Sequence, residues 1–175
     1  MNCGDAFADK DVLKMISDEI NEPKAVVYGD FICNNIHYRS PQNYNSFKAF
    51  YKWICHQSCF FHRDYLIKEG GYDCQYRLAA DYHFFVKCAV RNKELFQYVP
   101  IPVCIYERGG VSEQQKKITF YEQKMARKRE YSKYSYFVLS LIEILCLVRL
   151  RRKLNGDWMP YKLRKFLRGV LDKLQ

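Results

Sequence analysis

The apolar positions in the first part of the chain change period, from helical to strand-like. Across residues 11–20, Val12, Leu13, Ile16 and Ile20 recur at helical spacing, which predicts a short amphipathic helix capped by Asp9 or Asp11. Pro23 ends that pattern, and Ala25-Val26-Val27-Tyr28 is an unbroken apolar run expected as a buried strand. Phe31-Ile32-Cys33 and Ile36-His37-Tyr38 flank Asn34-Asn35, residues that tolerate the left-handed backbone of a tight hairpin turn. Residues 63–69 read as a helix closed by Gly70-Gly71, where glycine accepts the left-handed cap. A further helix is expected over 81–92. Residues 95–99 and 103–106 read as two short strands interrupted by Pro100-Ile101-Pro102, with Gly109-Gly110 in the loop beyond. Helices mixed with strands in this way predict an α/β domain.

From Ser112 onward the pattern is helical and increasingly basic, so the expected organisation is a domain over 1–113 and a helical, basic C-terminal extension over 114–175. A 175-residue chain that is 49% hydrophobic and 17% aromatic has enough apolar surface to bury a core, which argues against disorder. Charge sharpens the division. Residues 126–175 hold 13 Lys/Arg against 4 Asp/Glu, nearly all of the net +10. Beyond Pro160, Leu163, Phe166, Leu167, Val170, Leu171 and Leu174 form an apolar stripe beside Lys162, Arg164, Lys165, Arg168 and Lys173. Such a helix either lies in an anionic headgroup layer or packs on the protein's own core. Continuous apolar stripes beside the cations disfavour nucleic acid as the partner. The apolar stretch 136–148 is shorter than the roughly 20 residues needed to cross a bilayer. Eight cysteines without a compact framework spacing, and no basic leader followed by an apolar stretch, read as reduced thiols in a cytosolic protein.

Three short segments carry candidate chemistry. Asn2-Cys3-Gly4-Asp5 sets a carboxylate after a glycine, which either turns the chain or binds a divalent metal. Asp81, in Ala80-Asp81-Tyr82-His83, is placed either to cap the following helix or to act as a general base. The run from Cys55-His56-Gln57 to Cys59 and His62 has zinc-ligand types, but all within one short segment rather than in the two separated pairs of structural zinc sites.

Taken in order, NCGD, AVVYGD, HQSCFFHRDYLIKEGGYD, LAADYHFF and YVPIPVCIYERGGVS resemble bacterial family 2 glycosyltransferases of the capsule and exopolysaccharide type. That resemblance covers about residues 1–113 and implies a partial GT-A domain, the Rossmann-like fold of nucleotide-diphospho-sugar transferases. It implies a nucleotide-sugar donor, a divalent metal (Mg or Mn), and a surface-polysaccharide or lipid-linked glycan acceptor. Asp5 matches the metal-facing carboxylate of the family's DxD motif, with Asn2 in place of the first aspartate. Asp81 matches the catalytic base of an inverting transfer, with Ala80 where another acid often stands. His56 and Gln57 match a motif beside the sugar and acceptor pocket. The family's leading nucleotide-binding strands have no counterpart in this chain, so the resemblance also leaves open that the chain alone is inactive. The expected location is cytoplasmic, peripheral on the inner face of the cell membrane. The competing expectation is a non-catalytic, membrane-associated binding module.

Overall fold

The computed structural model describes residues 5–20, 22 and 24–144. Asn2, Cys3, Pro23, Cys146 and the basic stripe beyond Pro160 lie outside the described residues. The chain divides into two compact units, 1–130 and 131–175.

Five strands make one mixed sheet: β1 (Ala6–Phe7), β2 (Val26–Cys33), β3 (Ile36–Tyr38), β4 (Cys59–Phe61) and β5 (Phe96–Ile105). The order is β1-β5-β2-β3, and β4 also pairs with β2. β2 is the centre. β5 runs parallel along one of its edges, while β4 and β3 lie antiparallel on the other, against its first and second halves. Seven helices are described: α1 (Val12–Glu19), α2 (Ser46–Tyr51), α3 (Arg63–Lys68), α4 (Ala80–Arg91), α5 (Val111–Gln114), α6 (Lys116–Glu130) and α7 (Lys133–Ile144). α6 packs on α4 and belongs to the first unit. Among the described residues no helix is long and apolar enough to cross a membrane.

The apolar faces meet much as their spacing implies. Val12 and Ile16 of α1 are buried with Val27, Val99 and Val103. Leu13 and Ile20, expected on the same face, are 56% and 38% exposed, because α1 buries only the narrow stripe that Val12 and Ile16 supply and ends before Ile20. Asp11 holds the N-cap position without a side-chain cap, whereas the Asp9 carboxylate accepts the Asp11 N–H. Tyr28, the next residue of β2, joins Tyr44, Phe96 and Tyr98 in an aromatic group, and Phe61 of β4 stacks on Phe85 of α4. The Asn34-Asn35 hairpin forms with φ of 51° and 59°. α3 closes through Gly71 N–H to the Leu66 carbonyl, with φ of +80° and +68° at Gly70 and Gly71.

One sequence expectation is corrected. The two stretches expected at 95–99 and 103–106 fall on a single strand, β5 (Phe96–Ile105), and the prolines do not end it. Tyr28 pairs with Tyr98 and Asp30 with Pro102, so four steps along β5 oppose two along β2. Pro100 and Pro102, which cannot donate to a ladder, fall where the ladder is already broken by this bulge. Gly29 lies opposite the bulge because nothing larger fits: a Cβ there would stand 2.6 Å from the Ile101 carbonyl oxygen and 2.6 Å from a Val103 methyl. Gly29→Ala is expected to destabilise the fold by about 1 to 3 kcal/mol through overpacking, read as a lower urea midpoint with an unchanged slope.

Candidate active site

β2 and β5 run parallel, and their carboxyl ends bring the candidate residues together, the place where open α/β sheets hold ligands. Asp5 immediately precedes β1, whose pairing sets Ala6 opposite Ile105. The Asp5 carboxylate therefore reaches the chain just past β5 and accepts the Glu107 N–H at 3.1 Å. His56 opens a single 3-10 turn, His56–Ser58, that leads into β4. That turn is anchored beneath by Ser58, whose buried hydroxyl shares its one proton between the carbonyls of Cys55 (2.8 Å) and Gly29 (3.1 Å).

Asp81 occupies the first turn of α4, where unpaired helical N–H groups favour a carboxylate. It is not the helix cap, the alternative weighed from sequence: Ala79 holds that position. The Glu122 carboxylate of α6 accepts the N–H groups of Arg77 (3.0 Å), Leu78 (2.7 Å) and Ala79 (2.9 Å), fixing the chain that leads into α4. His83 adds a second clamp, stacking on Tyr76 and bonding Glu130 at 2.8 Å. Asp81 accepts the Tyr82 N–H at 2.7 Å with one oxygen and meets His56 Nδ1 at 3.1 Å with the other.

The His56–Asp81 pair is the centre of the candidate site. Both side chains are about one-third exposed, so each is anchored yet open to a ligand. The Asp81 hydrogen bond holds the His56 pKa above its ordinary value; partial burial opposes this, while the charges of Asp81, Cys55 and Asp5 add to it. The last contribution places Asp5 within electrostatic reach of His56. With its Nδ1–H directed to Asp81, neutral His56 keeps Nε2 as an acceptor for a ligand hydroxyl. Because the folded protein holds this proton more tightly than the unfolded chain does, the pair stabilises the fold fully below the ordinary imidazole pKa of about 6.5 and loses that contribution as pH rises through the raised value. Asp81→Asn is expected to return the His56 titration, followed by imidazole NMR, toward the ordinary value.

Gln57 is turned otherwise. Its side-chain oxygen accepts the Cys55 thiol at 3.1 Å. Cys55 is buried and hydrogen-bonded to Cys104, which lowers the Cys55 pKa and raises that of Cys104. Cys59 donates to the Cys55 carbonyl, and the six cysteines among the described residues are free thiols. Among the described residues no three His, Cys, Asp or Glu side chains cluster closely enough to hold a metal by themselves.

Sequence reasoning missed two features of this neighbourhood. Glu122 serves the α4 entrance across more than forty residues of chain, and its own surroundings in the sequence carry no sign of it. Trp53 and Tyr106 line the same end of the sheet. Tyr106 directly precedes Glu107, whose N–H Asp5 holds, and its hydroxyl pKa is raised, chiefly by burial and also by Glu113, Cys55 and Asp5.

Comparison with known proteins gives one group of relatives. The chain is 29% identical over 116 residues to a PGL/p-HBAD biosynthesis glycosyltransferase of Mycobacterium bovis (strain BCG / Pasteur 1173P2), and equally to one of Mycobacterium tuberculosis (strain ATCC 25177 / H37Ra). Each match takes in 64% of this chain and 45% of the relative, so the chain spans less than half the length of the proteins it matches. No family model matches, and no solved structure matches. The chain is thus a distant, partial homologue of mycobacterial glycosyltransferases, with a mixed α/β sheet compatible with a Rossmann-like domain.

Proposed function

We propose that this chain forms the acceptor side of a family 2, GT-A type glycosyltransferase, moving a sugar from a nucleotide-sugar donor to a surface-polysaccharide or lipid-linked glycan with inversion at the anomeric carbon. The observation that carries the reading is the His56–Asp81 pair: an accessible carboxylate, oriented by an imidazole, at the carboxyl ends of parallel strands. Asp81 takes the proton of an acceptor hydroxyl as that oxygen bonds to the anomeric carbon. The bond from that carbon to the donor's diphosphate oxygen breaks in the same displacement, and the diphosphate leaves with the electron pair. His56 fixes the orientation of Asp81 through Nδ1 and accepts a sugar hydroxyl at Nε2. Gln57, whose amide oxygen is held by the Cys55 thiol, has only its amide nitrogen to offer an acceptor hydroxyl beside His56.

Asp5 is the residue that would hold a divalent metal. A single protein carboxylate fits Mg or Mn, since Mg takes one or two carboxylates and completes its shell with substrate phosphates and water. Such an ion supplies neutralisation of the departing diphosphate. An inner-membrane location finds support in α6, where Lys116, Lys117 and Lys124 flank Phe120 and Tyr121, both more than 60% exposed.

The test is release of nucleoside diphosphate from a panel of UDP-, GDP- and TDP-sugars with Mn²⁺. It is run with and without a membrane glycolipid extract, on this chain alone and co-expressed with the sequence encoded immediately upstream. Release that depends on the extract, and an Asp5→Asn variant that needs more Mn²⁺, support the reading. No extract-dependent release in either preparation would refute it.

A further inference from the structure

Beside the His56–Asp81 pair, at the same end of the sheet, stands a group of aromatic rings that packing alone does not account for. Phe31, near the end of β2, stacks on its cross-strand partner Tyr38 with centroids 5.1 Å apart and planes within 8°. Trp53 lies over the same Phe31 at 5.8 Å, and Tyr106 meets it edge-on at 6.3 Å. A Phe31–Tyr38 pair is ordinary hairpin stabilisation. Trp53 is different: it is the largest apolar side chain in the described structure, it is held against another ring, and 54% of its surface is exposed.

The group is joined to the site at two points. Trp53 sits three residues before His56, on the short segment that ends in the buried Ile54 and Cys55. Those two buried residues fix the stretch between the ring and the imidazole. Tyr106 directly precedes Glu107, whose N–H is bound by Asp5, and the Tyr106 N–H is itself fixed to the Ile32 carbonyl at 2.7 Å. The neighbourhood therefore sets a half-exposed indole, braced by tilted and edge-on rings, close in the chain to the polar group His56, which pairs with Asp81. A pyranose ring has the matching character, with axial C–H bonds on one face and hydroxyls around its rim. Pockets that orient such ligands pair an apolar wall with a few placed polar groups.

We infer that Trp53, supported by Phe31 and Tyr106, is a stacking platform for a sugar ring of the acceptor glycan, holding that ring so that one hydroxyl faces Asp81. The inference deepens the proposed transfer reaction and rests on it for the word acceptor; binding of a sugar ring to Trp53 is measurable without it. Trp53 is a specificity and positioning residue, while the proton transfer belongs to Asp81.

The test uses the full chain carrying Trp158→Phe, which leaves Trp53 as the sole tryptophan. The probe is an equimolar mixture of the methyl glycosides of glucose, galactose and mannose, with sorbitol as a polyol that lacks a ring face. The glycosides are expected to change Trp53 emission saturably and sorbitol not to. Saturation-transfer NMR should show the glycoside signals with the unmodified chain and lose them with Trp53→Ala, while Trp53→Phe keeps them in part. In any preparation that transfers sugar, Trp53→Ala should raise the acceptor KM at least about fivefold, with kcat within about twofold, consistent with loss of one aromatic contact. An absence of saturable response, a response equal for sorbitol, or unchanged saturation transfer in Trp53→Ala overturns the platform. Glycoside binding without any transfer would leave the platform standing and refute the transferase reading; transfer with an unchanged acceptor KM in Trp53→Ala would do the reverse.

Discussion

Asp81→Asn should lower sugar transfer by about 10² to 10⁴-fold, the range expected when a positioned general base is removed. The amide has the carboxylate's shape, so it can still accept the Tyr82 N–H and face His56. What it lacks is basicity. Donor binding should be unchanged, and the loss should fall on kcat and on kcat/KM alike. His56 adds a pH dependence with a definite sign. Below its raised pKa the imidazolium is ion-paired with Asp81, so it competes with the acceptor hydroxyl for the carboxylate, and its protonated Nε2 no longer accepts a sugar hydroxyl. Turnover should rise as pH passes upward through the His56 value, and His56→Asn should remove that rise while costing less at high pH than Asp81→Asn does. A rate indifferent to Asp81→Asn, measured on the same preparation, would remove Asp81 from the chemistry.

The second large effect is on stability, at Asp30. This side chain is 2% exposed and accepts three hydrogen bonds or ion-pair contacts: the Ser40 N–H at 2.9 Å, the Tyr98 hydroxyl at 2.8 Å and His37 Nε2 at 2.8 Å. It ties β2 to β5 and to the chain following the β3 hairpin. The effect on Tyr98 is visible in its hydroxyl pKa, raised to about 12 by burial first and by Asp30 next. Asp30→Ala strands the buried Ser40 N–H, costing roughly 1 to 3 kcal/mol, and removes the partly buried hydrogen bond from Tyr98, worth about 1 kcal/mol, so a loss of about 2 to 4 kcal/mol in urea unfolding is expected. His37 is half exposed and adds little, since solvent screens that contact. Asp30→Asn keeps a carbonyl oxygen for Ser40 and Tyr98, and should cost about 1 kcal/mol or less. Equal losses in the two variants would show that charge, and not the hydrogen-bond pattern, is what the site requires.

Local signals in the chain were legible where a single residue type imposes a backbone shape or where one stripe meets one core. Asn34-Asn35 and Gly70-Gly71 adopt the left-handed conformations their turn chemistry requires, and Val12 and Ile16 are buried as their spacing implies. Pro100 and Pro102 misled, since proline signals a missing donor and says nothing about whether the partner strand supplies a bulge to accommodate it. The two-residue β1, the short α2 and the three-residue β4 carry too few positions for any period to show, and they form because β5, α4 and β2 provide partners. The site follows the same division. Asp5, His56 and Asp81 were each recognisable by type and by the resemblance of their segments, and the fold brings the last two into contact. The support given by Glu122 to residues 77–79, and the half-exposed Trp53 against Phe31, depend on which distant elements meet, so no spacing in the sequence records them.

The most direct measurement for the central claim is incorporation of radiolabelled sugar from nucleotide-sugar donors into the membrane glycolipid extract, with the unmodified chain and Asp81→Asn compared side by side, each with the upstream-encoded sequence supplied. The expected result is label in the glycan fraction, matched by nucleoside diphosphate release, in the unmodified protein and at least about a hundredfold less in the variant. Equal incorporation by the two proteins, or none by the unmodified one with any donor, would contradict a transfer site built on His56 and Asp81.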